Sequence, residues 1–372
     1  MDQRQAGEDA GQTGTTPEPR LKALTREGTT AMTTEIKNGG LNVPDDAFWE
    51  DPWINLGDVS FEYVANRKTV MLLDGPTTVD INGRDKLPLA VFEAVPAQDR
   101  KIYPFTRKAV LAGVRLEDRL TMVAKAMETP PADRRGGAAP AGEGFSGSSY
   151  TLDARRQLGV PWQPGTWVFG VILLDRVSNR VTVTLEQGSG YKDEAVEAFL
   201  AEQVPEIPAI DMPDLDALPT YDQQPESPAI PEAHGVAVSV QRVSVAQDSS
   251  RAMLYGSYRL PVLRGEIVAP DASPAPTVGG RRVTAVLPIT LIITRSDSLG
   301  AVVKTLGVPT FGAVDAGAEA PEASGYFALD LMSLEGMTQS AETHFVYTLV
   351  GDLFEGPTAM AFVDESAVPS RD

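Results

Sequence analysis

The 372-residue chain predicts a mainly β protein: two tandem antiparallel domains of β-sandwich or jelly-roll type, related by a possible duplication, with one or two short helices. Three observations lead there. Short apolar or alternating runs recur between Gly- and Pro-rich turns, and the helices that a parallel α/β fold needs between successive strands are missing. A 49-residue stretch from Asp193 to Gln241 carries eleven carboxylates, no lysine or arginine, and seven prolines between Pro205 and Pro231. It separates two segments, each about the size of a domain. The third observation is a weak internal repeat. At an offset of 177, Leu152-Asp153 falls on Leu329-Asp330, Gly159 on Gly336, Thr166 on Thr343 and Asp175 on Asp352. Only five of 36 positions are identical over residues 150–185, so the order of elements carries the repeat. Upstream, Asn82-Gly83 with Leu87-Pro88 is matched to Gly279-Gly280 with Leu287-Pro288 at a longer offset. The expected division is an N-terminal arm over 1–40, a first β-domain over 41–192, a short helix and acidic connector over 193–234, a second β-domain over 235–364 and a polar tail over 365–372.

Composition narrows the function. A net charge of −19 and a pI near 4.6 oppose nucleic-acid binding, which rests on basic side chains neutralising phosphates, and opposes adhesion to anionic lipid for the same reason. With no cysteine, disulfides, thiol nucleophiles and thiolate metal sites are excluded. The first twenty residues lack the apolar core of a signal peptide, and no run approaches the roughly 20 apolar residues of a spanning helix. A soluble protein without membrane insertion is expected.

Taken in order, residues 1–40 are polar and too poor in apolar surface to offset the entropy of ordering. Phe48 to Trp53 is an aromatic cluster expected to plug a core edge. Val59, Phe61 and Tyr63 alternate as a half-buried strand does. Val70 to Leu73 is a strand closed by Asp74-Gly75-Pro76. Asn82-Gly83, between Thr77–Ile81 and Arg84–Val95, predicts a hairpin with a type I′ turn, where both central residues take positive φ. Residues 100–135 form the basic region, with nine Arg/Lys against four Asp/Glu. Leu116, Leu120, Val123 and Met127 recur there at helical spacing, and a helix is expected. Gly142 to Gly147 fits G-x-G-x-x-G, but a Pro/Ala-rich loop precedes it and a strand, Ser148 to Leu152, follows. Pyrophosphate binding needs a strand before and a helix after, so the match is read as chance. Trp167–Leu174 and Val181–Leu185 predict a central hairpin. Asp193–Val204 predicts a short helix, stopped by Pro205. Beyond the connector, strands are expected at Val236–Val245, Met253–Leu260, Val283–Thr294, Tyr326–Leu331, His344–Val350 and Thr358–Val363.

Catalytic material is thin. The chain has two histidines, His234 in the connector and His344 at the head of an apolar strand. Three-histidine zinc sites, H-E-x-x-H, G-x-S-x-G and the P-loop signature are absent, and no cofactor or metal is expected. Trp162, in Val-Pro-Trp-Gln-Pro-Gly, is the candidate ligand-binding residue, able to stack on a sugar or a protein if its loop leaves it exposed. The plainer expectation is that it packs beneath that loop. Asp211, Asp214 and Asp216 are candidates for docking, between domains or subunits, on Arg107 and Lys108 of the basic region. The reading that follows is a non-enzymatic structural, assembly or protein-interaction protein, partnered by itself or by another protein. The alternative is a carbohydrate-binding or carbohydrate-active protein using aromatics and carboxylates of the first domain.

Overall fold

The computed structural model describes residues 70–96, 109–124, 145–188, 220–240, 243–244, 252–268, 276–295, 297–298, 300–311, 321–338, 342–360 and 362–363. The N-terminal arm, the Phe48–Trp53 cluster, the Val59–Tyr63 strand, the Asp193–Val204 helix and the tail lie outside these residues. So do Arg107, Lys108, Asp211, Asp214 and Asp216.

The described chain is mainly β. In the first half, β1 (Val70–Asp74), β3 (Pro88–Pro96) and β6 (Phe145–Asp153) form one antiparallel sheet in the order β1-β3-β6. A second sheet has the order β2-β9-β7-β4-β5. Its strands are β2 (Thr78–Asp80), β4 (Val110–Arg115), β5 (Thr121–Ala124), β7 (Gly165–Leu173) and β9 (Val181–Glu186), and the short β8 (Arg176–Val177) also pairs with β7. β2 runs parallel to β9, and the other pairings are antiparallel. Side chains from both sheets meet in one core, with Leu73, Leu89 and Val91 on one side and Leu111, Trp167, Phe169 and Leu185 on the other.

The second half follows the same plan. β10 (Gly235–Val240), β12 (Met253–Pro261) and β17 (Glu322–Asp330) form one sheet. β15 (Ala285–Arg295), β16 (Ala301–Thr310), β18 (His344–Val350) and β19 (Leu353–Met360) form the other, in the order β16-β15-β18-β19. β11 (Val243–Ser244) runs parallel to β20 (Phe362–Val363). β13 (Thr277–Val278) and β14 (Arg281–Arg282) make a small hairpin through Gly279-Gly280, both at positive φ. Leu254, Tyr258, Phe327, Leu287, Leu291 and Val346 meet in its core.

The registers of the halves coincide. Val70 opposite Ala94 becomes Gly235 opposite Arg259, each shifted by 165. Trp167 opposite Val183 becomes His344 opposite Met360 at the 177 offset. Arg115 opposite Trp167 becomes Arg295 opposite His344, with β4 shifted by 180. The turn chemistry follows suit. Asp153 Oδ1 accepts from the Leu87 and Arg155 N–H groups at 3.0 and 3.1 Å and caps the short helix α1 (Ala154–Leu158), which ends on left-handed Gly159. Asp330 Oδ1 accepts from Ala252 and Met332 at 3.1 and 3.0 Å and caps the 3-10 turn Leu331–Ser333, followed by left-handed Gly336. These registers match at 165 upstream, whereas Asn82-Gly83 turns between β2 and β3 and Gly279-Gly280 between β13 and β14, so the structure puts the two turns in different places.

Two local expectations are corrected. The Asn82-Gly83 segment does turn, with the N–H groups of Gly83 and Arg84 both donating to the Asp80 carbonyl at 3.2 and 3.1 Å. Neither Asn82 nor Gly83 has positive φ, so the turn is not type I′. The strands it joins part company, β2 beside β9 and β3 between β1 and β6. The helix expected around Leu116–Met127 is, over its described part, a hairpin of β4 and β5. Leu120, Met122 and Ala124 pack on the first core while Val123 faces the opposite side, which is period two. The hairpin is set by Asp118, which accepts from Arg115 Nε at 2.9 Å and from the Leu120 N–H at 3.1 Å, with Arg119 at φ 56.

A third apolar cluster joins the halves. Val110, Ala112, Val114 and Ile172 of β4 and β7 pack against Ile292, Tyr347 and Leu349 of β15 and β18, all buried to within 1%. Burying each such aliphatic side chain contributes about 1.5–3 kcal/mol. Tyr347 Oη donates to the Leu174 carbonyl at 2.7 Å across this seam. At its edge Arg119, 6% exposed, holds both oxygens of Glu266, 7% exposed, at 2.7 and 2.8 Å, and donates to the Pro261 carbonyl at 2.6 Å. Burial pushes the Glu266 carboxyl above its usual range despite the arginine, so desolvation outweighs the ion-pair attraction.

Three core rings lie over a glycine directly opposite on the neighbouring strand: Phe169 over Gly113, Phe327 over Gly256 and Tyr258 over Gly325. A Cβ at these glycines would stand 2.7, 2.1 and 2.6 Å from the ring or its hydroxyl. No larger residue fits without moving an aromatic.

Candidate functional site

Among the described residues, a concavity lies in the second half, where the acidic connector rejoins the described chain. The Ala328 N–H of β17 donates to the Thr220 carbonyl at 2.7 Å, a single antiparallel bridge that pins the connector to the sheet edge. The next side chain, Tyr221, therefore turns inward and is 8% exposed. Its ring meets Phe311, just past β16, edge to face at 6.0 Å. Tyr258, 2% exposed, comes from β12 and reaches the site across Gly325. Ser324 and Tyr326 of β17, Ile230 and Pro309 complete the walls of a cleft of about 300 Å³. That volume is at the small end of ligand sites.

The rim is polar. Arg281 of β14 stacks 3.8 Å above the Phe311 ring centroid and pairs with Asp222 at 3.0 Å, so cation and carboxylate offset each other. Gln223 stands exposed beside them. Burial raises the pKa of both Tyr221 and Tyr258, so both hydroxyls stay protonated. Among the described residues, the buried Tyr221 Oη has no hydrogen-bond partner. A buried hydroxyl left unpaired costs about 1–3 kcal/mol. The arrangement offers aromatic walls and a compensated charge pair, with the Tyr221 hydroxyl sealed beneath the surface.

Trp162 lies elsewhere. It is 9% exposed, its Nε1 donates to the Ile81 and Arg84 carbonyls at 2.9 and 3.1 Å, and the Arg155 guanidinium sits 4.5 Å from its ring centroid. Its indole thus holds the turn after β2 against the first core. His234 is exposed and contacts Glu322 at 2.6 Å. His344 is 2% exposed, and burial with Arg295 nearby pushes its pKa down. Among the described residues, no group of three or more His, Asp or Glu is gathered as a metal site, and no helix is long and apolar enough to cross a membrane.

Sequence reasoning missed the cleft because its walls come from separate segments. One signal was available: Tyr221 is the sole aromatic in the Pro-rich run 205–231. The chain matches no protein-family model, and no curated protein matches it by sequence.

Proposed function

We propose that the protein is a non-enzymatic scaffold for assembly or protein interaction, made of two β-sandwiches that arose by duplication and partnered by further copies or by another protein. In each half the last two long strands lie side by side in the second sheet and a short early strand runs parallel to the last. That order favours an immunoglobulin-like sandwich over a jelly roll.

The observation that carries the reading is the composition of the seam between the halves. Ala112 and Ile292, Ile172 and Leu349, Val123 and Val303, and Val177 and Phe354 are equivalent positions by the register, and all eight contribute to one cluster. Equivalent patches meeting each other is the pattern of an isologous dimer, here within one chain. The outer face of this sheet is thus suited to joining copies of the same domain, and a duplicated associating domain is the simplest origin for it. The Pro-rich acidic connector joins the halves in sequence and contributes negative charge for further contacts.

Light scattering coupled to size exclusion, over a wide concentration range at low and high salt, tests this reading. Self-association, or capture of a defined protein partner, is the expected result. A monomer at every concentration that retains no protein partner overturns it.

A further inference from the structure

We propose that the proline-rich strap over residues 220–232 is exchanged between two copies of the chain, each strap crossing the outer face of its neighbour's β10-β12-β17 sheet. The inference rests on the assembly reading and deepens it, because it names the surface by which copies join. The seam already uses the joining face of both halves within one chain, so whole chains need another contact.

The strap has a built seat. Val236, Leu254 and Tyr258 point into the second core, so Ser239, Ser257 and Arg259, of opposite parity in the same two strands, lie on the other face of the sheet. There the Ser239 hydroxyl donates to the Glu226 carbonyl at 2.9 Å, the Ser257 hydroxyl to the Ala229 carbonyl at 2.8 Å, and the Arg259 guanidinium to the Glu232 carbonyl at 2.8 Å. The three acceptors recur at every third residue, and each directly follows a proline: Pro225, Pro228 and Pro231. Three is the repeat of a polyproline II helix, whose carbonyls make no internal bonds. Proline also fixes φ in advance, so a detached strap loses little of the form its seat requires.

Exchange needs a hinge, a tether and contacts that can be remade. The chain bends over residues 232–234 before Gly235 opens β10. Straightening that bend sends the strap away from its own sheet while β10 stays paired with β12. On the other side, residues 189–219 join the strap to the first half, a length that reaches at most about 100 Å. About a two-fold axis, each strap remakes on its neighbour the Thr220–Ala328 bridge, the Tyr221–Phe311 contact, the Asp222–Arg281 pair and the three carbonyl bonds. Closed and exchanged forms thus share their contacts, and concentration sets the balance between them.

The chain has no cysteine, so introduced thiols report exchange directly. Asp222 and Arg281 meet at 3.0 Å through exposed side chains, and a short bismaleimide joins Asp222→Cys to Arg281→Cys. In dilute solution the double variant is expected to link within one chain. A mixture of the two single variants is expected to give a linked dimer. Its fraction should rise about tenfold for each tenfold rise in concentration while dimers are scarce, and fall when a peptide of residues 220–235 is added in excess. In light scattering the same peptide is expected to return dimers of the natural chain to monomers. No linked dimer from single variants that melt as the natural chain does, or natural dimers indifferent to the peptide, overturns exchange and leaves the assembly reading standing. A monomer at every concentration overturns both. A dilute double variant that melts normally and fails to link removes the seat, and the proposal with it.

Discussion

Gly170→Ala tests the seam between the halves. Gly170 in β7 lies opposite Ala112 in β4, at the middle of the face that meets the second half. A Cβ built there stands 2.8 Å from Phe354 Cε1 and 3.2 Å from its Cδ1, well inside the optimum of about 3.5–4.0 Å for carbon pairs. Gly170 is not at positive φ, so alanine without the clash would stabilise by about 0.4–1 kcal/mol through the unfolded chain. Overpacking costs about 1–3 kcal/mol, and the net expectation is a loss of about 0.5–2 kcal/mol. In a Phe354→Ala background the clash disappears, and the same substitution should be neutral or stabilising. The coupling is then about 1–3 kcal/mol. Urea unfolding of the four proteins of the cycle, followed by both tryptophan fluorescence and far-ultraviolet dichroism, measures it. Coincident transitions justify a two-state fit. An equal loss in both backgrounds would refute the packing of Gly170 against Phe354.

Two further outcomes are expected. Glu266→Ala leaves the Arg119 cation buried without its carboxylate and should cost about 3–5 kcal/mol in urea midpoints, whereas Arg119→Met with Glu266→Leu should recover most of it. A double variant as damaged as the single would argue against the buried pair. Asp80 accepts N–H bonds from Asn82 at 2.9 Å and Gly188 at 3.0 Å, which hold its carboxyl below the ordinary 3.8. The ionised form is the one the fold prefers, so its contribution is complete above that value and disappears as the pH falls through the lower folded value. Asp80→Asn should therefore flatten the acid limb of melting temperature against pH below about 4, and an unchanged limb would count against these bonds.

Strands were legible where one physical signal dominated. The near-continuous apolar run of β7, the alternation Val181, Val183, Leu185 in β9, and the turn after β1 appear at or near their expected places. Elements read wrongly were those where two patterns coexist. Leu116, Leu120 and Val123 fit helical spacing, while Leu120, Met122 and Ala124 fit a strand, and the Arg115–Asp118 turn decides between them. β4 was hidden in a basic segment, and β16 carries Lys304, Gly307 and Pro309, which mask its pattern. Asn-Gly signals a turn by its local chemistry, yet which strands pair afterwards is set by packing over long range. The cleft was illegible for the same reason: Tyr221 joins Tyr258, Arg281 and Phe311 only through the long-range bridge of Thr220 to Ala328.

The glycine–aromatic pairs bear on how the chain avoids mispairing while it folds. Alternating patterning penalises a slip of one residue, because every side chain would change face, but it hardly distinguishes a slip of two. Moving β17 two residues along β12 would set Tyr258 against Phe327, or Gly256 against Gly325. In one arrangement two rings contest the same space, and in the other neither glycine is covered. Between β4 and β7 there is a single pair of this kind, Phe169 over Gly113, and a slip of two sets Phe169 against Leu111 or Arg115 instead of a glycine. These pairs act as keys that fit one alignment out of the even-numbered set. A chain whose second-sheet faces resemble each other has particular use for them, since strands of one half offer plausible wrong partners to the other.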